Sequence, residues 1–337
     1  MRTLVISDLH LGARLRGGVL TRPEALDRLL EVVDRIDRLV LLGDTIELLE
    51  GRPQHAMQIS EPVIRTLGVR LGADREAIIV PGNHDGALVR AWVRAQGPRL
   101  RPDSIVDPHA SPALERLISW LAPARVQVQY PGTWLTDAVW ATHGHYLDQH
   151  LFPVSAYGVT RGLLGRPPRT TALPIDYELT RRPSLARTAR WLPRPLAALI
   201  DDIAEVLRAS TMPRIQRRLL TPSLAPLTAM LLGTQMRRAS IPALARVVHR
   251  LGIDAEFVIF GHVHRLGPLA ADDPAQWRGP GGRPRILNTG SWSYEPVLLH
   301  RARPPHPYWP GGSVLLDSGH EPRAIGLLDD LGAGELH

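Results

Sequence analysis

The sequence predicts an α/β fold, a β core with helices packed against it. Over the first 90 residues short apolar runs alternate with helical patterns, and from residue 256 onward strand-like runs return in close succession. Between them, residues 150–250 are rich in Leu, Ala, Arg and Pro and carry helical periodicity. The chain therefore divides into a discontinuous core, 1–149 and 251–331, and an Arg-rich helical insertion or cap at 150–250.

The first strand is Leu4–Ile6, which runs into a polar exit, Ser7-Asp8-Leu9-His10. A helix follows. Thr21-Arg22-Pro23-Glu24 has the form of a capping box, with Pro23 in the first turn, where a missing N–H costs little. Leu26, Leu29, Leu30, Val33 and Ile36 then recur at helical spacing. Strands at Leu39–Leu42 and Ala77–Val80 extend the βαβ alternation. Val126–Tyr130 and Ala138–Thr142 read as two strands joined by a turn at Pro131-Gly132. Within the insertion, Leu196–Leu207 and Ala243–Leu251 have helical patterns. The later strands are Glu256–Phe260, Arg285–Asn288, Val297–His300, Ser313–Leu316 and Arg323–Leu327, with a Pro/Gly-rich loop at 272–284. There is no internal repeat.

Composition removes several chemistries. The 337 residues contain no cysteine, so disulfides, thiolate metal sites and cysteine nucleophiles are excluded. All 40 basic residues are arginine, which excludes lysine nucleophiles and Schiff bases. The net charge of +7 is unevenly placed: residues 151–250 hold 16 Arg against five Asp and Glu, +11, which leaves −4 for the rest of the chain. An arginine-rich segment beside a site can hold phosphates through bidentate hydrogen bonds. Its apolar stripe, Leu196, Leu199, Ile200, Ile203 and Leu207, reads as packing of the insertion in preference to a lipid groove. The start of the chain lacks the apolar stretch of a secretory leader, and no run approaches the ~20 residues needed to span a bilayer. A cytoplasmic location is expected, with peripheral membrane contact left open.

Five short polar motifs each follow a predicted strand: Asp8-Leu9-His10, Gly43-Asp44-Thr45-Ile46-Glu47, Gly82-Asn83-His84-Asp85, His143-Gly144-His145 and Gly261-His262-Val263-His264. Spacing of two at a strand end points Asp8 and His10 to one face, and likewise His262 and His264. Asp, Asn and His supply oxygen and imidazole ligands suited to Mn, Fe, Zn or related divalent ions. Some eight such groups on loops at one sheet edge are enough for two metals sharing a carboxylate.

Together these motifs resemble those of the calcineurin-like metallophosphoesterase superfamily, over residues 3–10, 39–47, 77–86, 138–145 and 256–264. The segment Asn288-Thr289-Gly290-Ser291-Trp292 is similar to a late strand of that fold. The resemblance implies a four-layer α/β/β/α sandwich with a helical insertion. It implies that Asp8, His10 and His264 hold one metal, that Asn83, His143 and His262 hold the other, and that Asp44 bridges them. A metal-bridging hydroxide would then attack phosphorus in line. His84 resembles the histidine that donates to the leaving oxygen or the phosphate, with Asp85 orienting it. Manganese is the first expectation for the pair of ions, with iron, zinc or a mixed pair as alternatives.

Other residues have two readings. Glu47 is either a partner of the ligands or a helix-start carboxylate. His145 either hydrogen-bonds substrate or is structural. Arg14 and Arg16 either meet a substrate phosphate or lie on a solvated loop. Asp148 and His150 extend the polar run, and the reading favours ordinary surface residues.

The expected substrate is a small or lipid-linked phosphodiester, pyrophosphate or phosphate ester. The Asp8-Leu9-His10-Leu11 start and the glutamate at 47 are similar to the UDP-2,3-diacylglucosamine pyrophosphatase-like branch. That branch usually has arginine where His84 stands, which favours a general phosphodiesterase or phosphatase. The alternatives are a nuclease that grips its backbone with the basic insertion, against which few aromatic residues are available for stacking, and a non-catalytic metal-binding scaffold.

Overall fold

A computed structural model describes residues 1–13, 17–151, 171–180, 239–296, 298–299 and 301–336, and the account below concerns these. Twelve strands are formed among them: β1 (Arg2–Ile6), β2 (Gly17–Gly18), β3 (Arg38–Leu41), β4 (Glu76–Ile79), β5 (Asp103–Ile105), β6 (Arg125–Thr136), β7 (Val139–Thr142), β8 (Phe257–Phe260), β9 (Arg285–Asn288), β10 (Ser293–Tyr294), β11 (Gly312–Asp317) and β12 (Arg323–Gly326). The strand path is β12-β11-β1-β3-β4-β6-β7-β8-β9, with β5 beside β6 and a separate β2–β10 pair. β1, β3 and β4 run parallel, as do β7, β8 and β9.

β6 joins the two halves. Residues 125–128 pair in parallel with β4, and residues 132–136 pair antiparallel with β7. The turn expected at Pro131-Gly132 is therefore absent: the strand continues through it and reverses at Asp137-Ala138. Gly132 serves close packing, since a Cβ there would fall 2.5 Å from the Trp140 ring. The strand expected at 297–300 is also absent at its two described positions. Leu298 and Leu299 turn back on the Glu295 carbonyl, and residues 297 and 300 lie outside the described residues.

Side-chain alternation sorts the strands between three apolar layers. Leu4 and Ile6, Leu39 and Leu41, and Ala77 and Ile79 pack into a first cluster with the helices α1 (Pro23–Val33), α2 (Pro53–Leu71), α3 (Arg90–Gln96) and α4 (Pro112–Trp120). Val5, Val40, Leu42, Ile78 and Val80 turn the other way and meet Val139, Ala141, Phe257, Ile259 and Leu287 from the second half. Trp140, Val258, Phe260 and Ile286 face outward onto the helix Ile241–Arg250. The middle layer is drawn from both halves of the strand path, and helices cover the two outer clusters.

Several expectations shift locally. α1 begins one residue later than a Thr21 cap requires: Arg22 is the N-cap without a side-chain bond, and the Thr21 hydroxyl donates to the Gly18 carbonyl. α2 and α4 were not apparent in the sequence. Pro53 and Pro112 open them, and the Ser111 hydroxyl caps α4 by accepting from the Leu114 N–H at 3.2 Å. In the insertion, Leu196–Leu207 lies outside the described residues, while the helix expected at Ala243–Leu251 spans Ile241–Arg250 and a further helix spans Pro174–Thr180. No described helix is long and apolar enough to cross a membrane.

Ile259 is fully buried in the layer between the two halves. Ile259→Ala should cost about 2–5 kcal/mol in urea unfolding. A loss below about 1 kcal/mol would mean that the two halves are not held by this layer.

Candidate metal centre

The five motifs follow β1, β3, β4, β7 and β8 and converge at the carboxyl ends of these strands. Strand alternation is not what aims them. β1 ends at Ile6 and β8 at Phe260, and the ligand candidates lie beyond, in left-handed backbone. Among the described residues six non-glycine positions have positive φ. Five are Asp8 (55°), His10 (44°), Asp44 (51°), His262 (70°) and His264 (58°); the sixth is Arg301. Each costs of order 1 kcal/mol or more for a residue with a Cβ. Such strain persists only where surrounding bonds over-determine the backbone. Here the Asp8, His10 and Leu11 N–H groups donate to the carbonyls of Gly43, Asp44 and Thr45, and the Trp292 N–H donates to the Asp8 carbonyl.

Three groups of ligand atoms result: Asp8, His10 and His264; His10, Asp44 and His84; and Asp44, His143 and His262. Within each, the potential ligand atoms lie within 4.8 Å of one another. Asp8 Oδ1 is buried and faces His264 Nε2 at 3.2 Å and His10 Nε2 at 3.9 Å. Asp44 Oδ2 lies 3.2 Å from His143 Nε2 and 3.9 Å from His10 Nε2, so Asp44 stands between the outer groups. Asn83 joins the second set through Oδ1, 3.1 Å from His143 Nε2. Carboxylate, amide oxygen and imidazole donors at this spacing fit divalent ions of the Mn, Fe and Zn type.

The electrostatics point the same way. Burial opposes ionisation of Asp44, but the imidazoles of His143, His84 and His10 outweigh it and hold its pKa well below the ordinary range. Asp8 is likewise held low against burial, mainly by His264 and His143. Burial alone would lower His143, yet Asp44 and Asp8 push it up to about 9. The buried carboxylates therefore require positive charge among them, which the raised pKa of His143 reflects. A bound cation would supply that charge and release the proton.

Glu47 takes the partner reading expected of it, and Asp85 departs from its expected place. Glu47 is fully buried and lies ahead of α2, which begins at Pro53, so it does not start a helix. Its Oε2 sits 2.7 Å from His84 Nδ1 and 2.9 Å from His10 Nδ1, while Oε1 accepts the N–H groups of Leu49 and Glu50. The carboxylate beside His84 Nδ1 is thus Glu47. The expectation that Asp85 orients His84 is corrected: Asp85 accepts the backbone N–H groups of Gly82, Thr45 and Asp44 and braces the loops beneath the site. Burial and the nearby Asp44 raise its pKa to about 6.

His145 is buried, stacked beside Tyr130 and tilted against His143, with Nε2 3.3 Å from the Tyr130 hydroxyl. Tyr130 and Tyr146 both donate to Glu178 of the helix Pro174–Thr180. Asp148 and His150 are more than surface residues. Asp148 Oδ1 is 2.9 Å from His262 Nε2, and His150 Nε2 is 3.1 Å from the Tyr177 hydroxyl. Arg14 and Arg16 lie outside the described residues. The sequence reading missed Glu295, 3.1 Å from His264 Nδ1, and Ser7, whose hydroxyl donates to Asp8 Oδ2 and meets Thr289. A serine before the first motif and a glutamate in an irregular loop carry no spacing signal.

Gly43 follows β3 with φ +85°, and a Cβ there would fall 2.4 Å from the His143 ring; Gly72 is also at positive φ, +68°, but faces open space. Gly43→Ala should therefore cost more than about 3 kcal/mol in urea unfolding, against about 1 kcal/mol for Gly72→Ala. Equal losses would show that His143 gives way without consequence.

A family model described as calcineurin-like phosphoesterase matches residues 1–168, a span that carries four of the five motifs. A search of curated proteins found no match. The fifth motif, beyond the matched span, completes two of the ligand groups with His262 and His264. The chain thus belongs to the calcineurin-like phosphoesterase family and is a metal-dependent phosphoester hydrolase.

Proposed function

We propose that the centre takes two divalent cations, manganese first among them, and cleaves phosphate ester or phosphoanhydride bonds. The observation that carries this is the position of Asp44, a buried carboxylate whose Oδ2 lies 3.2 Å from His143 Nε2 and 3.9 Å from His10 Nε2, between the two proposed positions. In this reading Asp8, His10 and His264 hold one ion, Asn83, His143 and His262 hold the other, and Asp44 serves both. When bound, such ions lower the pKa of water and neutralise charge on phosphoryl oxygens.

The protein's own residues supply the rest. His84 lies edge-on to His10 with ring centroids 4.7 Å apart, and its side chain is partly open to solvent. Glu47 holds its Nδ1, which leaves Nε2 to donate a proton to the leaving oxygen or a hydrogen bond to the phosphate. Glu47 also holds Nδ1 of His10, so one buried carboxylate sets both rings. His145, packed on His143, offers a hydrogen bond to substrate from the side of the insertion. The substrates that suit this arrangement are small or lipid-linked phosphodiesters, pyrophosphates or phosphate esters.

Asp44→Asn should abolish turnover and weaken Mn²⁺ binding at both positions; survival of metal content and activity would refute the shared carboxylate. His84→Ala should leave metal content intact and slow turnover by about 10²–10⁴-fold, most for esters with poor leaving groups. An equal loss across leaving groups would remove the proton-donor role. Glu47→Gln should reproduce part of that leaving-group dependence, whereas Asp85→Asn should act on stability instead. A panel of aryl monoester, aryl diester, cyclic nucleotides, nucleotide pyrophosphates and single-stranded DNA with Mn²⁺ tests the substrate class. Preference for DNA with strong inhibition by salt would overturn it in favour of a nuclease.

A further inference from the structure

The four histidines of the two ligand groups share a pattern that extends beyond the groups themselves. Each has one ring nitrogen beside an acceptor. His10 Nδ1 meets Glu47 at 2.9 Å, His143 Nδ1 meets the Leu42 carbonyl at 3.0 Å, His264 Nδ1 meets Glu295 at 3.1 Å, and His262 Nε2 meets Asp148 at 2.9 Å. The first two partners belong to the loops of the motifs. The last two do not: Glu295 follows β10, and Asp148 opens the short helix Asp148–Leu151, where the chain enters the insertion.

We propose that Asp148 and Glu295 are positioning residues, each setting the orientation and tautomer of one histidine of the Gly-His-x-His motif and thereby the affinity of one metal position. Asp148 would govern the position of Asp44, Asn83, His143 and His262. Glu295 would govern that of Asp8, His10 and His264. The inference rests on the two-metal reading above.

The physical basis is the constraint on an imidazole that binds a cation. The binding nitrogen must be free of its proton, so the other nitrogen carries the N–H and needs an acceptor. A carboxylate fixes the ring against rotation and makes the binding nitrogen more basic. Neither histidine has burial to do this instead, since the His262 and His264 side chains are 14% and 15% exposed, against 0–1% for His143 and His10. Asp148 is in turn fixed by its surroundings. Its neighbours Gln149 and His150 bond to the Tyr177 carbonyl and hydroxyl, and Tyr177 stacks on Tyr146 with rings 4.7 Å apart. The insertion helix Pro174–Thr180 thus sets the place of a carboxylate that touches a metal ligand.

The test is calorimetric titration of the chelator-treated full chain with Mn²⁺, with the fold checked by circular dichroism. The wild-type chain should take two Mn²⁺. Asp148→Ala should weaken one step about tenfold and leave the other within twofold, and Glu295→Ala should do the same to the opposite step. Asp148→Glu should restore most of the loss. In a His262→Ala background, adding Asp148→Ala should change the remaining step by less than twofold, while adding Glu295→Ala should weaken it about tenfold. Two Mn²⁺ bound with both affinities unchanged in Asp148→Ala and Glu295→Ala would overturn the inference alone. Equal weakening of both steps by either variant would overturn the assignment of one carboxylate to each position. Fewer than two Mn²⁺ in the wild-type chain would overturn the two-metal reading and this inference with it.

Discussion

Asp44 is the constraint around which the protein is arranged. It is a carboxylate removed from water at the junction of the two halves of the strand path. It faces His143 from β7 on one side and His10 from β1 on the other, and its Oδ1 accepts the His84 backbone N–H at 2.8 Å. A charge so buried costs several kcal/mol unless opposite charge and hydrogen bonds surround it. The surrounding imidazoles, and the cations that the family employs, are the answer to that cost. Removing any one partner would leave the others buried with less compensation.

The cost extends into the backbone. Five ligand candidates occupy left-handed conformations that residues with side chains avoid, and the glycines beside them leave no room for a Cβ. Gly43 lies against the His143 ring, and a Cβ on Gly261 would fall 2.3 Å from the Ser7 hydroxyl. The strain is carried by a lattice of backbone bonds between the loops after β1, β3, β8 and β9 and by Asp85, whose carboxylate spends itself on amide groups. Three apolar layers hold the strands that deliver those loops, so core packing and site geometry are parts of one energetic balance.

The described part of residues 150–250 meets the core beside the candidate centre. Its helix Pro174–Thr180 places Glu178 on Tyr130 and Tyr146 and Tyr177 beside His150, on the stretch that runs from His143 to Asp148.

How much was legible follows from which forces are local. Apolar alternation located the central strands, because a buried strand must be apolar in sequence, and it failed at β6, where Pro131-Gly132 looks like a turn but close packing against Trp140 needs the glycine inside a strand. The motifs were legible because metal ligands cannot be exchanged for other residue types. Which carboxylate serves which histidine was not legible. Asp85 adjoins His84 in sequence, yet backbone amides claim it, and Glu47 reaches His84 across two loops. Glu295 and Asp148 find their histidines more than 30 and 110 positions away. The sequence by itself determined the α/β class, the candidate ligand residues and the metal-dependent hydrolysis that the family shares, since these depend on residue type and order. Only the tertiary structure decided the pairing of carboxylates with imidazoles. Hydrogen bonding selects partners by distance in space, and that distance is set by how the two halves of the sheet close on each other.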